Sequence, residues 1–71
     1  MDRATLINAI DDGPVRVHMN DGASYDIPDH KSVLVDSSIA YVLHRRTDGT
    51  LGAVWLSLVC MTKVERIEIA A

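Results

Sequence analysis

The sequence predicts a small, mainly β domain with one short N-terminal α-helix and an antiparallel sheet of five or six strands, bent or closed into a barrel. Three observations support this fold class. The chain has 71 residues, the length of one small domain. Apolar and polar residues alternate with period two over much of residues 14–69. Asp-Gly pairs interrupt the alternation twice, which is typical of tight hairpin turns.

Residues 2–12 are expected to form the helix. Leu6 and Ile10 are four positions apart and therefore share one helix face. Asp2 is the expected N-cap, because its carboxylate can accept the free N–H groups of the first turn. The Gly-Pro pair at 13–14 ends the helix, since proline cannot continue its hydrogen bonding.

The first hairpin follows directly. Residues 15–20 alternate strictly, the Asp-Gly pair at 21–22 makes the turn, and residues 24–27 alternate again. Pro28 is expected to end the second strand, because it has no N–H to donate to a neighbouring strand.

Three further strands are expected in the middle of the chain. They are a short strand over 33–35, a fourth over 39–44 and a fifth over 51–58, with a hairpin turn at 47–50 between the last two. Both faces of the fourth strand are apolar, so it is either central in the sheet or at a contact.

The spacing of apolar residues leaves residues 58–69 open between strand and helix. Val64 and Ile67 have helical spacing, whereas Ile67 and Ile69 have strand spacing. We favour a helical turn near 60–64 followed by a final strand over 65–69. Because every connection is short, we expect the strands to follow one another as a meander.

Composition excludes several classes of protein. The chain is 48% hydrophobic and 24% charged, unlike a disordered tail. The formal net charge of −3 argues against a strongly basic nucleic-acid module. A single cysteine excludes a disulfide framework and a multi-cysteine zinc site. The start of the chain lacks the apolar core of a signal peptide, and no uncharged run reaches the about 20 residues of a membrane span. We therefore expect a cytoplasmic protein that does not enter membranes.

Two segments resemble a family of short, uncharacterised, β-rich bacterial proteins. Segment 15–27 has an alternating strand, an Asp-Gly hairpin and an aromatic residue before a proline, and segment 56–65 has an apolar run before a Thr-Lys-Val-Glu ending. The resemblance spans about residues 14–69 and implies no activity.

The architecture is also similar to the Sm-like and SH3-like small barrels. The Sm-like proteins form rings through edge strands and bind RNA, so the resemblance implies a barrel and self-association. Their RNA-binding motif has Asp followed four residues later by Asn, but here Asp29 is followed by Val33. Their late basic-Gly pair is replaced by Cys60-Met61. No RNA-binding residue is therefore carried over.

The sequence contains no recognisable catalytic or metal motif. Its three histidines lack the spacing of a metal site, and a zinc site would require His18 and His44 to meet on adjacent strands. Cys60 lies between apolar residues and is expected to be a small buried hydrophobe, with a nucleophile assisted by His44 as the less favoured alternative. We expect no enzymatic activity and no cofactor.

One basic cluster and one tryptophan are the candidate functional positions. Arg16, His18, His44, Arg45 and Arg46 form a basic stripe in the predicted strands, either for anion or nucleic-acid contact or as solvated strand ends that protect an edge. The interpretation as solvated strand ends is favoured, because the net charge of the chain is negative.

Trp55 is opposite in the alternation to the inward-facing Val54 and Leu56. Together with Val42 and Ala53 it is a candidate interface, and the alternative is that Trp55 packs beneath the N-terminal helix. A domain this small gains little from its own core, so we predict a homo-oligomeric interaction module, with a different protein partner as a further option. RNA binding is the alternative function.

Overall fold

The structure, a computed structural model, describes residues 1–68. It is mainly β with one N-terminal helix, as predicted. The helix α1 spans Arg3–Asp11, and short 3-10 turns occur at His30–Ser32 and Leu58–Cys60. The strands are β1 (Val15–Met19), β2 (Ser24–Ile27), β3 (Val33–Val35), β4 (Ile39–Arg45), β5 (Leu51–Ser57) and β6 (Met61–Arg66).

The helix α1 begins and ends where the sequence places its signals. The Asp2 carboxylate accepts the Thr5 N–H at 3.3 Å and caps the first turn. Leu6 and Ile10 are the buried residues of the helix. Gly13 has a φ of 139°, a conformation that L side chains rarely adopt, and stops the helix there.

The first sheet has the strand order β2-β1-β6. The hairpin of β1 and β2 is confirmed, with Val17 opposite Tyr25. Its turn uses Gly22 at a φ of 92°, and the Asp21 carboxylate accepts the Ala23 N–H at 2.9 Å.

The end of the chain differs from the prediction of a turn at 60–64 and a strand over 65–69. The turn comes earlier, and β6 already begins at Met61. Met61 is buried in the core, and Val64 lies opposite Val17 of β1. This long-range pairing with β1 makes the segment a strand, and the local spacing of apolar residues does not reveal it. It also makes the meander prediction wrong, because β6 returns to β1. Ile69 lies outside the described residues.

The second sheet has the order β3-β4-β5. Its strands agree with the predicted ones to within a residue at their ends. Val33, Val42 and Val54 lie side by side on one face, and Leu34, Tyr41 and Trp55 lie side by side on the other. The β4–β5 turn contains Gly49 at a φ of 89°.

One hydrophobic core joins the helix and the inner faces of both sheets. Its buried residues are Leu6, Ile10, Val15, Val17, Ile27, Ala40, Val42, Leu56, Leu58 and Met61. The sheets do not close into the predicted barrel within residues 1–68. Pro28 and the two 3-10 turns interrupt the extended backbone where the chain passes between the sheets, so no continuous ladder forms there. No helix of this part of the chain is long and apolar enough to cross a bilayer.

Candidate functional site

The outer face of the second sheet carries an exposed apolar surface. Alternation along three adjacent strands puts its side chains on the face opposite the core. We call this surface the outer apolar face, and its residues are Leu34, Tyr41, Leu43, Leu51, Ala53 and Trp55. Leu34 is 68% exposed and Trp55 is 70% exposed. Contiguous apolar surface of this kind is typical of interaction sites, whereas scattered single residues are not.

Trp55 is held by its neighbour on β4 and not by the helix. The rings of Tyr41 and Trp55 are 5.5 Å apart between centroids and meet at 78°, an edge-to-face arrangement. The helix packs on the other side of the sheet, because its buried Leu6 and Ile10 share the core with Val42 and Leu56. The alternative that Trp55 lies beneath the helix is therefore wrong.

Val42 and Ala53 lie on opposite faces of the second sheet. Ala53 is exposed beside Trp55 on the outer apolar face. Val42 is only 1% exposed and belongs to the core, so it is removed from the candidate interface. The apolar character of both faces of β4 has two separate causes, since one face is core and the other is the exposed surface.

A polar cleft of about 540 Å³ is lined by residues of both sheets. It brings together four of the five predicted basic positions: Arg16 and His18 from β1, and His44 and Arg45 from β4. Tyr25 of β2 joins them, with its ring 5.7 Å from the His44 ring in an edge-to-face contact. Arg46 does not line the cleft.

The cations of this cleft are already engaged. Arg16 donates from Nε and Nη2 to the two carboxylate oxygens of Asp26, at 2.7 and 3.1 Å. The hydrogen bond lowers the pKa of Asp26 and raises that of Arg16. Arg45 donates to the Gly49 carbonyl at 2.8 Å, within the β4–β5 turn. The Asp26 carboxylate therefore neutralises Arg16, whereas Arg45 supports the β4–β5 turn and keeps its positive charge.

His18 is paired with an acid on β6. Its Nε2 is 2.7 Å from Oε1 of Glu65, and this hydrogen bond lowers the pKa of the Glu65 carboxyl. Lys63 approaches the same carboxylate at 3.9 Å. The pair joins the central strand β1 to the edge strand β6 of the first sheet, which makes a structural role for His18 sufficient.

The remaining chemical candidates do not assemble into a site. Among residues 1–68, no group of three or more His, Cys, Asp or Glu side chains is placed to hold a metal ion. Cys60 is partly buried and does not line the cleft that contains His44.

The sequence analysis missed four members of the outer apolar face: Leu34, Tyr41, Leu43 and Leu51. Each has the opposite position in the alternation to an inward-facing valine. This alternation is the feature of the sequence that could have identified them. Asp26 and Glu65 were also missed as partners of Arg16 and His18, because strand register decides those pairs.

Comparison of the chain with protein-family models, with curated proteins and with solved structures finds no match. The function is therefore argued from the surfaces of the molecule.

Proposed function

We propose that the protein is a non-enzymatic interaction module that associates with further copies of itself through the outer apolar face. The observation that supports this proposal is the exposure of Leu34, Leu43, Leu51 and Trp55 on one face. Burial of such side chains contributes about 25 cal/mol per Å² of apolar surface removed from water. The edge-to-face pair of Tyr41 and Trp55 gives the surface a rigid aromatic centre, and aromatic anchors of this kind dominate many interfaces.

Association can be measured with the chain's own tryptophan. Trp55 is the only tryptophan, so its emission reports directly on the outer apolar face. We expect the emission maximum to shift to shorter wavelength as protein concentration rises, in step with an increase of mass in sedimentation velocity. A chain that stays monomeric into the millimolar range, with unshifted emission, would contradict the proposal.

A charge on the face tests the contact itself. Leu34→Glu places a carboxylate on the outer apolar face at a position that is already exposed, so the fold is retained. We expect this variant to associate more weakly, so that the shift of Trp55 emission and the increase of mass move to higher protein concentration. Val59→Glu is the matched control, because Val59 is 83% exposed but lies in the Leu58–Cys60 turn, off the face. Equal loss of association in both variants would indicate a non-specific effect of charge.

RNA binding remains the alternative function. The observation in its favour is the convergence of Arg16, His18, His44 and Arg45 on one cleft beside Tyr25. Binding of single-stranded RNA through this cleft would weaken steeply as salt is added. Fluorescence anisotropy with labelled RNA decides it: absence of binding at low salt ends this alternative, and binding that Arg45→Ala abolishes would favour it over self-association.

A further inference from the structure

The strand β5 has an edge with no partner within residues 1–68. The hydrogen bonds at the two ends of the strand show which of its residues direct their N–H and C=O groups toward that edge. The Arg46 N–H donates to the Thr50 carbonyl at 2.8 Å, and the Leu58 N–H donates to the Ser38 carbonyl at 2.9 Å. Hydrogen-bonded pairs alternate along an antiparallel ladder, so even-numbered residues of β5 direct their N–H and C=O groups to β4. The N–H and C=O groups of the odd-numbered residues point away from β4, and these residues are Leu51, Ala53, Trp55 and Ser57.

The other three sheet edges are protected. The strand β3 has three residues, and Arg3 Nε donates to its Val35 carbonyl at 3.2 Å. The strand β2 has four residues and ends at Pro28. The strand β6 carries charged side chains at Lys63, Glu65 and Arg66. Short length, proline and charge are the usual means of blocking edge-to-edge pairing.

The edge of β5 has almost none of these protections. The strand has seven residues and no charged side chain. One outward group is covered, since Arg46 Nη1 donates to the Leu51 carbonyl at 3.2 Å. Among residues 1–68 the outward groups of Ala53 and Trp55 have no protein partner, whereas Ser57 is the N-cap of the 3-10 turn Leu58–Cys60 and its carbonyl faces that turn. An edge of this length and composition is a template for another strand.

The sequence of β5 is self-complementary in side-chain size. A two-fold axis at Val54, the middle residue of Leu51–Ser57, pairs every residue of the strand with a second antiparallel copy. Trp55 then lies beside Ala53 of the other copy, Leu56 beside Gly52, and Leu51 beside Ser57. In these three pairs a large side chain meets a small one, which favours close packing between adjacent strands, and Val54 meets Val54 of the other copy.

We infer that β5 pairs with β5 of a second copy about a two-fold axis at Val54, forming one continuous sheet across two chains. A two-fold contact closes on itself and gives a dimer, not a ring or fibre. In this dimer the Ser57 N–H of the second copy replaces Arg46 on the Leu51 carbonyl. This contact goes beyond the proposed face-to-face association, because it uses the edge of the sheet. The edge contact and the face contact together close into a tetramer only where their two-fold axes cross at right angles.

Cysteine cross-linking tests the register. With Cys60→Ala as background, Val54→Cys would face its own copy in a non-hydrogen-bonded pair, with Cα atoms about 4.5 Å apart, within the about 4.4–6.8 Å that a disulfide spans. Ala53→Cys is the matched control, since the two copies would be about 7–8 Å apart on the diagonal. We expect cross-linked dimer from Val54→Cys and little from Ala53→Cys. The reverse pattern overturns the register at Val54.

Proline tests the edge itself. Ala53→Pro removes an N–H that does not bond to β4, so the second sheet is retained, which circular dichroism checks. Two hydrogen bonds are lost per dimer, and we expect the Kd to rise about tenfold or more. Unchanged association of a folded Ala53→Pro variant overturns the edge pairing. If this variant does not fold, the cross-linking pattern decides.

The contact through the outer apolar face and the contact through the β5 edge can be tested independently of each other. In a Leu34→Glu background, which weakens the outer apolar face contact, dimers that cross-link through Val54→Cys support the edge contact alone. If Leu34→Glu yields only monomers that do not cross-link while the wild type associates, the edge pairing is overturned and the face contact stands.

Discussion

The pair of Arg16 and Asp26 illustrates how little free charge the surface of the first sheet offers. Its two hydrogen bonds join β1 to β2 at opposite register positions. Both side chains are exposed, and pairs of this kind contribute little to stability because water and salt screen them. Their effect is to hold the guanidinium against the Asp26 carboxylate, which leaves less of it free to bind another anion.

The paired carboxylates predict how stability depends on pH. The folded-state pKa values of Asp26 and Glu65 lie below their ordinary values because each accepts a hydrogen bond, from Arg16 and His18 respectively. A depressed pKa means that the stabilisation is present above the ordinary pKa and is lost as pH falls through the folded-state value.

We therefore expect the thermal midpoint to fall as pH is lowered below about 4 to 5, where Asp and Glu begin to bind protons. Asp26→Asn combined with Glu65→Gln should flatten this acid limb. Glu68→Gln, an exposed acid beyond β6, serves as control. A double variant with the same acid limb as the wild type would mean that other carboxylates cause it.

The hairpin turns show which element boundaries are determined by a single residue. Gly22 and Gly49 both have positive φ, each one residue after an aspartate. Each aspartate accepts the N–H of the residue that follows the glycine, at 2.9 Å in both turns. This repeated local chemistry is why the hairpins were predictable.

Gly22→Ala is expected to destabilise the protein by about 1–2 kcal/mol, because an L side chain is disfavoured in the left-handed region. No atom lies near the position of the added Cβ, so the cost is conformational and not steric. For a domain of this size that corresponds to a fall in Tm of roughly 4–8 °C per kcal/mol.

Gly52→Ala is the matched control for this variant. Gly52 lies within β5 without a positive φ, and an added Cβ there would meet the end of the flexible Arg46 side chain, which can move. Differential scanning fluorimetry compares the two. A loss at Gly52 as large as that at Gly22 would contradict a conformational origin.

The whole molecule depends on the return of the chain from the second sheet to the first. The strand β6 pairs with β1 along its length and brings Met61 into the shared core. Without it the first sheet is a two-stranded hairpin, and an isolated hairpin is at best marginally stable in water.

A chain that ends after Cys60 is therefore expected not to fold, although it retains α1 and five of the six strands. A chain that ends after Glu68 retains all of β6 and should fold as the full chain does. Amide chemical-shift dispersion by NMR distinguishes the two. Native-like dispersion from the shorter chain would show that the second sheet and the helix form a stable unit by themselves.

A feature of the fold could be predicted when the interaction that determines it acts between residues close together in the sequence. The helix cap at Asp2, the stop at Gly13 and the turns at Gly22 and Gly49 depend on neighbours within a few residues, so the sequence predicted them. The start of β6 at Met61 and the pairing of His18 with Glu65 depend on contacts across the chain. Alternation alone cannot specify such a register.

By itself the sequence determined that the chain forms one helix and short antiparallel strands, because propensity, caps and turn residues act locally. It also determined that the later strands are apolar on both faces. Only the tertiary structure decided which face is core. The helix and first sheet cover the side that carries Val42 and Leu56, which leaves the side of Leu34 and Trp55 exposed. The physical reason is that a core this small covers one face of the second sheet and leaves the other face exposed.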